Sequence, residues 1–341
     1  MAENKAAVYL GPDSLEISDW PMPVAKPGQV IVEVMACGVC GSDIHVFRHG
    51  QIGDLKVKPP LVLGHESSGI IVDAGDGVDR ARIGERVAIE PQETCGHCAA
   101  CRSGHYNLCP EVRYYSAFPV HGAFQRYVAI DNHLAHGVPD SVSFEAAGLI
   151  EPVSVVLWAA QKARIMAGDR VLVTGAGPIG NLAVQFADLN GATEVAVVDV
   201  VAARLDAAME MGGTRRIDNS DGALAGLHSD FDVLLECTGA PAVVAEALRH
   251  VRPAGRAVLV GMAPEANASL PIALLQAREV EITGTFRFAN TYERALRIAA
   301  SGRLRLDDIV TDRFSLAETA AALRAPQVST SVIKPMVYPG R

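Results

Sequence analysis

The sequence lacks several features that would place the protein in other classes. None of its 341 residues belongs to an apolar run of roughly 20 residues, so no transmembrane helix is predicted. Residues 1–5 lack the apolar core of a secretion signal, and the protein is therefore expected in the cytoplasm. Positive charge is not in excess, because 30 Lys and Arg face 39 Asp and Glu. A nucleic-acid-binding surface needs clustered Lys and Arg, so neither nucleic acid nor a membrane is expected as a partner.

Internal repeats and low-complexity segments are also missing. A single hydrophobic core stops growing at about 250–300 residues, so a length of 341 residues predicts two domains. A hydrophobic content of 49% with 20% charged residues is typical of a globular enzyme. Seven cysteines in a reducing compartment indicate metal binding or catalysis rather than disulfides.

The first part of the chain, up to about residue 150, has the pattern of a β domain. Short strand-like runs such as 5–10 and 29–35 are separated by Gly and Pro turns, which is typical of a barrel or sandwich. The pattern changes at Ser143, which is a candidate N-cap for a helix.

From residue 169 to about 284, apolar runs of strand length alternate with helical segments. These runs are 171–174, 194–199, 233–237 and 257–261. Such alternation is typical of βαβ units and predicts a parallel sheet. The tail contains a predicted helix, 292–301, and a predicted strand, 331–336. It is too short to fold alone and is expected to return to the first domain.

A glycine motif directly follows the first strand of this region. Gly175-Ala176-Gly177-Pro178-Ile179-Gly180 is a complete G-x-G-x-x-G, and 181–190 is a predicted helix. Such glycines let the backbone approach a pyrophosphate at a helix N-terminus, although a tight turn alone is the alternative. Asp199 ends the next strand, where its carboxylate is expected to bind ribose hydroxyls and to favour NAD over NADP. Arg204 could pack on the adenine or be a solvated helix residue.

A cysteine cluster is the most specific signal in the chain. Cys95, Cys98, Cys101 and Cys109 have the spacing CxxCxxC plus one, which suits a closed, tetrahedral structural zinc. A disulfide pair or an iron–sulfur cluster is the alternative. The reducing compartment argues against the disulfide, and the long interval before Cys109 argues against the short-loop ferredoxin pattern.

A second candidate metal site combines a thiol, an imidazole and a carboxylate. Cys40, His65 and Glu66 lie among glycines and short polar residues, and a catalytic zinc has about three protein ligands and an open position. The alternative is a packed cysteine and a surface histidine. Glu66 directly follows His65, so both reach one metal only if the backbone turns sharply. Otherwise Glu66 supports the metal shell through a backbone or Arg contact.

Taken together, these features resemble the zinc-dependent medium-chain alcohol dehydrogenases, in particular the polyol branch of sorbitol and xylitol dehydrogenases. The residues that carry the resemblance are 40–45, 64–69 with Gly75, 84–87, 149–155, 175–180 and the cysteines of 95–109. The resemblance implies a doubly wound Rossmann α/β sheet plus a GroES-like β-barrel catalytic domain. The expected boundaries are 1–152 for the catalytic domain, 153–288 for the NAD-binding domain and 289–341 for the return.

The resemblance also implies roles for individual residues. The expected catalytic residues are Cys40, Ser42, His45, His65, Glu66 and Glu151. Of these, Cys40, His65 and Glu66 are the zinc ligands. Glu151 is the neighbouring carboxylate that reaches the zinc through water or contacts the substrate. Ser42 and His45 match the positions of the family's proton relay.

The remaining expected contacts involve cofactor and substrate. Those to the cofactor also include Val260, Gly261, Met262, Thr285, Phe286 and Arg287, and those to the substrate are Val46, Glu151, Arg287 and Phe288. Val46 and Phe288 depart from the polyol pattern, because sorbitol dehydrogenases often carry Tyr at both positions. Two hydroxyls that could bind a polyol are therefore missing.

The implied activity is that of a zinc-dependent NAD oxidoreductase, similar to L-iditol 2-dehydrogenase, that converts a polyol to a ketose. One catalytic and one structural zinc are expected, together with a homodimer or homotetramer. Dehydrogenases for a sugar acid at carbon 5 or for threonine are alternatives, as is a non-catalytic protein that binds zinc and nucleotide. The six expected catalytic residues argue against the last alternative, because a protein without chemistry need not keep them.

Overall fold

The computed structural model describes residues 3–53, 55–227, 230–263 and 267–341. The chain divides into two compact units, one formed by Met1–Glu151 with Ala289–Arg341 and the other by Pro152–Phe288. The sequence placed the first boundary one residue later, after residue 152. Within the described residues, no helix combines the length and apolar composition needed to cross a membrane.

Short strands dominate the first part of the chain, and strands alternate with helices in the second unit. In chain order, the strands are β1 (Lys5–Gly11), β2 (Ser14–Asp19), β3 (Gln29–Gly38), β4 (Gln51–Ile52), β5 (Leu55–Lys56), β6 (Leu61–Val62), β7 (Glu66–Ala74), β8 (Arg86–Ile89), β9 (Gln92–Glu93), β10 (Arg113–Tyr114), β11 (Tyr127–Asp131), β12 (Ala135–Gly137), β13 (Arg170–Thr174), β14 (Glu194–Asp199), β15 (Arg215–Asp218), β16 (Phe231–Glu236), β17 (Val251–Leu259), β18 (Glu281–Gly284), β19 (Val310–Ser315) and β20 (Lys334–Tyr338). The helices are α1 (Gly41–His49), α2 (Ala99–Arg102), α3 (Phe144–Gly148), α4 (Ile150–Ala163), α5 (Pro178–Leu189), α6 (Ala202–Glu210), α7 (Pro241–Ala247), α8 (Ile272–Arg278), α9 (Tyr292–Ala300) and α10 (Thr319–Val328).

The first unit is built on a sheet with the strand order β12-β8-β7-β3-β20-β19, in which β11 also pairs with β3. Its central strand β3 buries Val30, Ile31, Val32 and Val34. Ile31 departs from strict alternation because an interior strand is covered on both faces. Ser143 caps α3 as predicted, because its side chain accepts a hydrogen bond from the Ala146 amide.

The end of the chain returns to this unit. Strand β20 pairs antiparallel with β3, with Met336 opposite Gly38 and Val337 opposite Cys37. The predicted strand 331–336 is displaced, because β20 begins at Lys334 and runs to Tyr338. Residues 329–332 instead form a turn closed by the Val332 amide and the Ser329 carbonyl.

The second unit contains a parallel sheet with the order β15-β14-β13-β16-β17-β18. Counted from β13, this is the order 3-2-1-4-5-6 of a doubly wound dinucleotide-binding sheet. Val171, Leu172 and Val173 are fully buried, as expected for a strand covered by helices on both faces. Helix α5 begins at Pro178 rather than at residue 181, because proline suits the first turn of a helix.

Candidate active site

Three candidate metal ligands meet in the first unit. One ligand atom from each of Cys40, His65 and Glu66 lies within 4.8 Å of the others. Cys40 is the N-cap of α1, and Glu66 opens β7. Gly64 has φ +90°, which favours glycine and turns the chain just before His65. The set has the thiolate, imidazole and carboxylate donors that zinc takes, so it fits a catalytic zinc.

A buried aspartate ties the two arms of this site together. Asp43 is 1% exposed, and its carboxylate accepts hydrogen bonds from the Cys40 amide at 3.1 Å and the Gly64 amide at 3.0 Å. The same carboxylate lies 3.4 Å from His65 Nδ1, which also lies 3.1 Å from Ser116 Oγ. With Nδ1 engaged in this way, Nε2 is the nitrogen left to bind a metal.

Neither Asp43 nor Ser116 was predicted from the sequence as a partner of His65. A signal existed for Asp43, which stands three residues after Cys40 and occupies the third helical position of a capping box. No local pattern indicates Ser116, which is 51 residues from His65 in the chain.

The surroundings of His65 also change its pKa. Burial lowers it, but Asp43 and Cys40 raise it by more, so the pKa is well above the usual value. A metal takes the neutral imidazole, so its affinity for this site falls as pH falls.

Glu66 forms a buried ion pair with Lys334. Lys334 Nζ lies 2.5 Å from Glu66 Oε2 and 2.7 Å from Oε1, and it also donates to the Val39 carbonyl at 3.0 Å. A Cβ at Gly38 would lie 2.2 Å from Glu66 Oε2, so glycine makes room for the carboxylate. Burial lowers the pKa of Lys334, but Glu66, Cys40 and Glu151 together raise it by more. The alternative role for Glu66 was to support the metal shell through a contact with the backbone or an arginine. In the structure, the charged partner of Glu66 is Lys334 of β20.

Glu151 is a neighbour of this cluster rather than one of the three close ligands. It is 5% exposed and accepts a hydrogen bond from Tyr114 OH at 2.8 Å. The Tyr114 ring lies 5.4 Å from the His65 ring, centroid to centroid. Burial raises the pKa of Glu151 to about 7, against the opposing charge of His65. Its contact with zinc through water, or with substrate, stays a prediction.

The other predicted residues of α1 differ in exposure. Ser42 is half-buried and His45 is exposed, and they lie about one turn apart on the same face of the helix. Val46 is 2% exposed and belongs to the hydrophobic core of the first unit. Phe288, predicted to contact substrate, is also fully buried. The burial of both side chains does not favour their predicted substrate contacts.

The cysteine lobe forms the second metal site. One sulfur atom from each of Cys95, Cys98, Cys101 and Cys109 lies within 4.8 Å of the others. The sulfur atoms of Cys95 and Cys109 are 3.6 Å apart, much longer than the roughly 2.05 Å of a disulfide. Backbone hydrogen bonds lower the pKa of Cys95 to about 6, which favours the thiolate that binds zinc. The lobe fits a closed structural zinc.

The glycine motif of the second unit is shaped for a close approach. Gly175 has φ +83°, and a Cβ at Gly180 would lie 1.7 Å from the Gly175 carbonyl oxygen. A Cβ at Gly177 would meet no atom of the described residues within 4 Å. Gly177 is the N-cap of α5 and supplies no side chain to the first amides of that helix. These amides and the space above them fit a pyrophosphate.

Asp199 lies beside this motif. Its Oδ2 accepts a hydrogen bond from the Ala176 amide at 2.6 Å, and its Oδ1 accepts one from the Val201 amide at 2.9 Å. A carboxylate has about four acceptor positions, so capacity for ribose hydroxyls remains. Arg204 lies on α6, one turn beyond. Its contact with adenine stays a prediction.

The remaining predicted cofactor residues follow β17 and β18. The Thr285 amide donates to the Leu259 carbonyl at 3.1 Å, so the two segments run together. Met262 and Phe286 are 58% and 48% exposed. Arg287 has φ +49°, and its guanidinium lies 4.8 Å from the centre of the Phe286 ring.

Comparison with known proteins identifies the families and structures that this chain resembles. The family model of the alcohol dehydrogenase GroES-like domain matches residues 26–140, and that of the zinc-binding dehydrogenase matches 178–301. A sorbitol dehydrogenase of Bacillus subtilis (strain 168) is 39% identical, over 99% of this chain and 98% of its own length. The chain belongs to the zinc-dependent medium-chain alcohol dehydrogenases, in their polyol dehydrogenase-like branch.

This family membership confirms the predicted fold and makes the protein a zinc-dependent, nicotinamide-linked oxidoreductase. An L-idonate 5-dehydrogenase of Vitis vinifera is 35% identical, over 93% of this chain and 89% of its own length. The structure of a zinc-binding dehydrogenase from Sinorhizobium meliloti 1021, bound to NADP, is 29% identical. It superposes with a TM-score of 0.93 and covers 99% of this chain and 100% of that one.

Proposed function

We propose that this dehydrogenase oxidises a secondary alcohol of a sorbitol- or xylitol-like polyol to a ketose, by hydride transfer to NAD. The observation that carries the proposal is the meeting of Cys40, His65 and Glu66 within 4.8 Å. The similarity to a sorbitol dehydrogenase supports a polyol as the substrate class.

Different residues of the chain would bind the metal, orient its ligand and transfer the proton. When bound, zinc supplies a Lewis acid that polarises a hydroxyl, and the nicotinamide supplies the hydride acceptor. Cys40, His65 and Glu66 would hold the metal, and Asp43 fixes the His65 ring so that Nε2 faces it. Ser42 and His45, one turn apart on α1, would carry the hydroxyl proton outward. The exposed imidazole of His45 is in a position to pass this proton to solvent.

The preference for NAD over NADP is part of this proposal. Asp199 lies at the glycine motif, where its carboxylate would accept from both ribose hydroxyls and repel a 2′-phosphate. The Sinorhizobium meliloti structure contains NADP, so cofactor choice is not uniform among the similar structures. The choice therefore has to come from local residues, and Asp199 carries a negative charge beside the glycine motif.

A sugar acid is the second candidate substrate. The similarity to an L-idonate 5-dehydrogenase favours it, and so does Arg287, whose guanidinium could pair with a substrate carboxylate. The two positions at which polyol enzymes often carry a hydroxyl are Val46 and Phe288 here, and both side chains are buried. A polyol would have to rely on other donors.

The test is a panel of sorbitol, xylitol, L-idonate, L-threonine and 2,3-butanediol, each with NAD and with NADP, followed by the absorbance of the reduced cofactor. We expect the highest kcat/KM with a polyol and NAD. Cys40→Ala is the control and should abolish turnover. Higher kcat/KM for L-idonate would establish the second candidate, and no reduction of cofactor by any alcohol would refute both.

We also propose a homodimer or homotetramer located in the cytoplasm. All seven cysteines are free thiols in the structure, and two zinc sites built from thiols need a reducing compartment to stay loaded. The oligomer is supported by the open sheet edge at β18.

A further inference from the structure

A buried carboxylate in the second unit has no part in the chemistry above. Glu236 is the last residue of β16 and is 0% exposed. It pairs in register with Thr174, the last residue of β13. The strand order of the doubly wound sheet reverses between β13 and β16, and sheets of this kind bind ligands outside the strands' carboxyl ends at that point. Glu236 therefore lies at the end of the sheet where this fold binds its cofactor.

The side chain of Glu236 accepts several hydrogen bonds. Its Oε1 accepts from Thr174 Oγ1 at 3.1 Å and from the Thr238 amide at 2.9 Å, and its Oε2 accepts from the Gly239 amide at 3.0 Å. The Thr238 hydroxyl accepts from the Ala240 amide at 3.0 Å, so its own proton is directed at the Glu236 carboxylate. Every partner is a donor, which suits an ionised carboxylate.

The backbone of Glu236 reaches a third strand end. Its carbonyl accepts hydrogen bonds from the amides of Val260 and Gly261, both at 2.8 Å. A Cβ at Gly261 would lie 2.1 Å from the Gly239 nitrogen, and a Cβ at Gly239 would lie 2.3 Å from the Met262 carbonyl oxygen. One residue thus joins the ends of β13, β16 and β17. The segment after β17 is the one expected to line the nicotinamide.

The charge of Glu236 is not balanced locally. In the described part of the chain, no Lys, Arg or His nitrogen forms an ion pair with it within 4.0 Å. A charge in such a buried position acts over a longer range than one in water, because the effective dielectric constant is lower. The nicotinamide ring carries a positive charge in NAD⁺ and none in NADH, whereas the pyrophosphate is the same in both.

We propose that Glu236 is a positioning residue that joins the three turns of the cofactor site, and that its buried charge makes the site favour NAD⁺ over NADH. This inference rests on the proposed function. It adds a determinant of redox selectivity that lies outside the zinc site and the glycine motif.

The test compares Glu236→Gln with Thr174→Val by measuring Kd for NAD⁺ and for NADH, with NADH fluorescence and competition. Glutamine at position 236 removes the charge and can keep its oxygen toward Thr174 and Thr238. Its NH2 group then faces the Gly239 amide and loses that hydrogen bond, a loss that applies equally to NAD⁺ and NADH. We expect Kd for NAD⁺ to rise relative to Kd for NADH by roughly three- to tenfold. Thr174→Val removes one donor but keeps the charge, so it should raise both Kd values by the same factor.

The outcomes separate this inference from the proposed function. If the wild-type protein binds neither NAD⁺ nor NADH, the proposed function is wrong. If it binds both and Glu236→Gln leaves their Kd ratio unchanged, the charge inference is overturned. Melting curves establish that each variant is folded. Glu236→Met, an uncharged side chain of similar length without a donor, replaces Glu236→Gln if the latter does not fold, and the same ratio change is then required.

Discussion

At the scale of single residues, Glu66 is the candidate ligand that also has a charged partner within the chain. It lies within 4.8 Å of the Cys40 and His65 ligand atoms and also forms the ion pair with Lys334. We expect Glu66→Ala to lose the catalytic zinc on mild chelation while the cysteine lobe keeps its own. A loss of metal affinity by only about 10–100-fold would instead give Glu66 a supporting role.

The same variant leaves Lys334 buried without its partner. Removing one member of a buried ion pair typically costs about 3–5 kcal/mol, so Glu66→Ala should also lower the free energy of unfolding. The control is the double variant Glu66→Ala with Lys334→Met, which removes both charges and should recover much of that stability without recovering the zinc. If chelation leaves both zincs and turnover intact in Glu66→Ala, Glu66 does not belong to the site.

At the same scale, we expect Asp199 to set the choice between NAD and NADP. The Asp199 carboxylate accepts a hydrogen bond from the Ala176 amide at 2.6 Å and so lies beside the glycine motif. Asp199→Ala removes both the acceptor for the ribose hydroxyls and the charge that repels a 2′-phosphate. We expect kcat/KM for NAD to fall by about tenfold or more, equivalent to roughly 1.4 kcal/mol, and that for NADP to rise. Asp206→Ala, an exposed carboxylate on α6, is the control and should change neither. Equal use of NAD and NADP by the wild type would contradict this role.

At the scale of elements, the cysteine lobe is a separate unit of metal binding. Protein purified without added zinc should contain about two zincs per chain, one closed and one open. Cys98→Ser should reduce this to about one and lower Tm, because a structural zinc cross-links the loop that contains α2 and contributes to the free energy of folding. Cys237→Ser, which removes a thiol of the second unit, is the matched control and should keep both. Retention of two zincs in Cys98→Ser would contradict the lobe assignment.

Helix α3 is tied to the C-terminal strands by one carboxylate. Glu145 accepts from Arg313 Nε at 2.9 Å and Nη2 at 2.6 Å, and from Tyr338 OH. Burial raises the pKa of Glu145, but Arg313 and Tyr338 lower it by more, so the net pKa lies below 4.5. A depressed pKa in the folded state stabilises the fold above the unfolded pKa. This stabilisation is lost as pH falls through the folded pKa.

We therefore expect Glu145→Gln to lower the free energy of unfolding by about 1 kcal/mol at neutral pH, a modest value because Arg313 is half-exposed. The difference from wild type should shrink as pH falls below 4.5, the ordinary pKa of the group. Denaturant unfolding as a function of pH measures both effects. The control is Glu293→Gln. The Glu293 carboxylate lies 3.8 Å from Arg297 and both side chains are exposed, so this substitution should have no measurable effect. A difference that persists unchanged at low pH would rule out this linkage.

At the scale of the whole molecule, the sheet topology indicates which strand of the second unit could pair across a two-fold axis. Strand β17 pairs with β16 and β18 on its two sides. The open edge on this side is β18. We expect light scattering to give a mass about two or four times 36.0 kDa, independent of concentration in the micromolar range. A mass of 36.0 kDa would contradict the oligomer.

The sequence alone determined the features that depend on short-range patterns. The glycine motif, its flanking strand and Asp199 lie within about 30 residues, and the four lobe cysteines lie within 15, so sterics and spacing are enough to define them. The parallel sheet followed from apolar runs alternating with helices. The ends of the elements were less well defined. Strand β20 begins three residues later than predicted, because its extent is set by pairing with β19 and β3 rather than by its own residues.

Only the tertiary structure decided which distant residues complete each site. Lys334 reaches Glu66 across 268 positions, because β20 pairs with β3 at Gly38 and β3 pairs with β7 at Glu66 itself. Tyr114 reaches Glu151 from strand β10, which pairs with β9, and Ser116 reaches His65 from the turn that follows this strand. Val46 shows the converse, because its position after His45 suggested the pocket and packing placed it in the core. Register between strands far apart in sequence is a global property, and no local pattern records it.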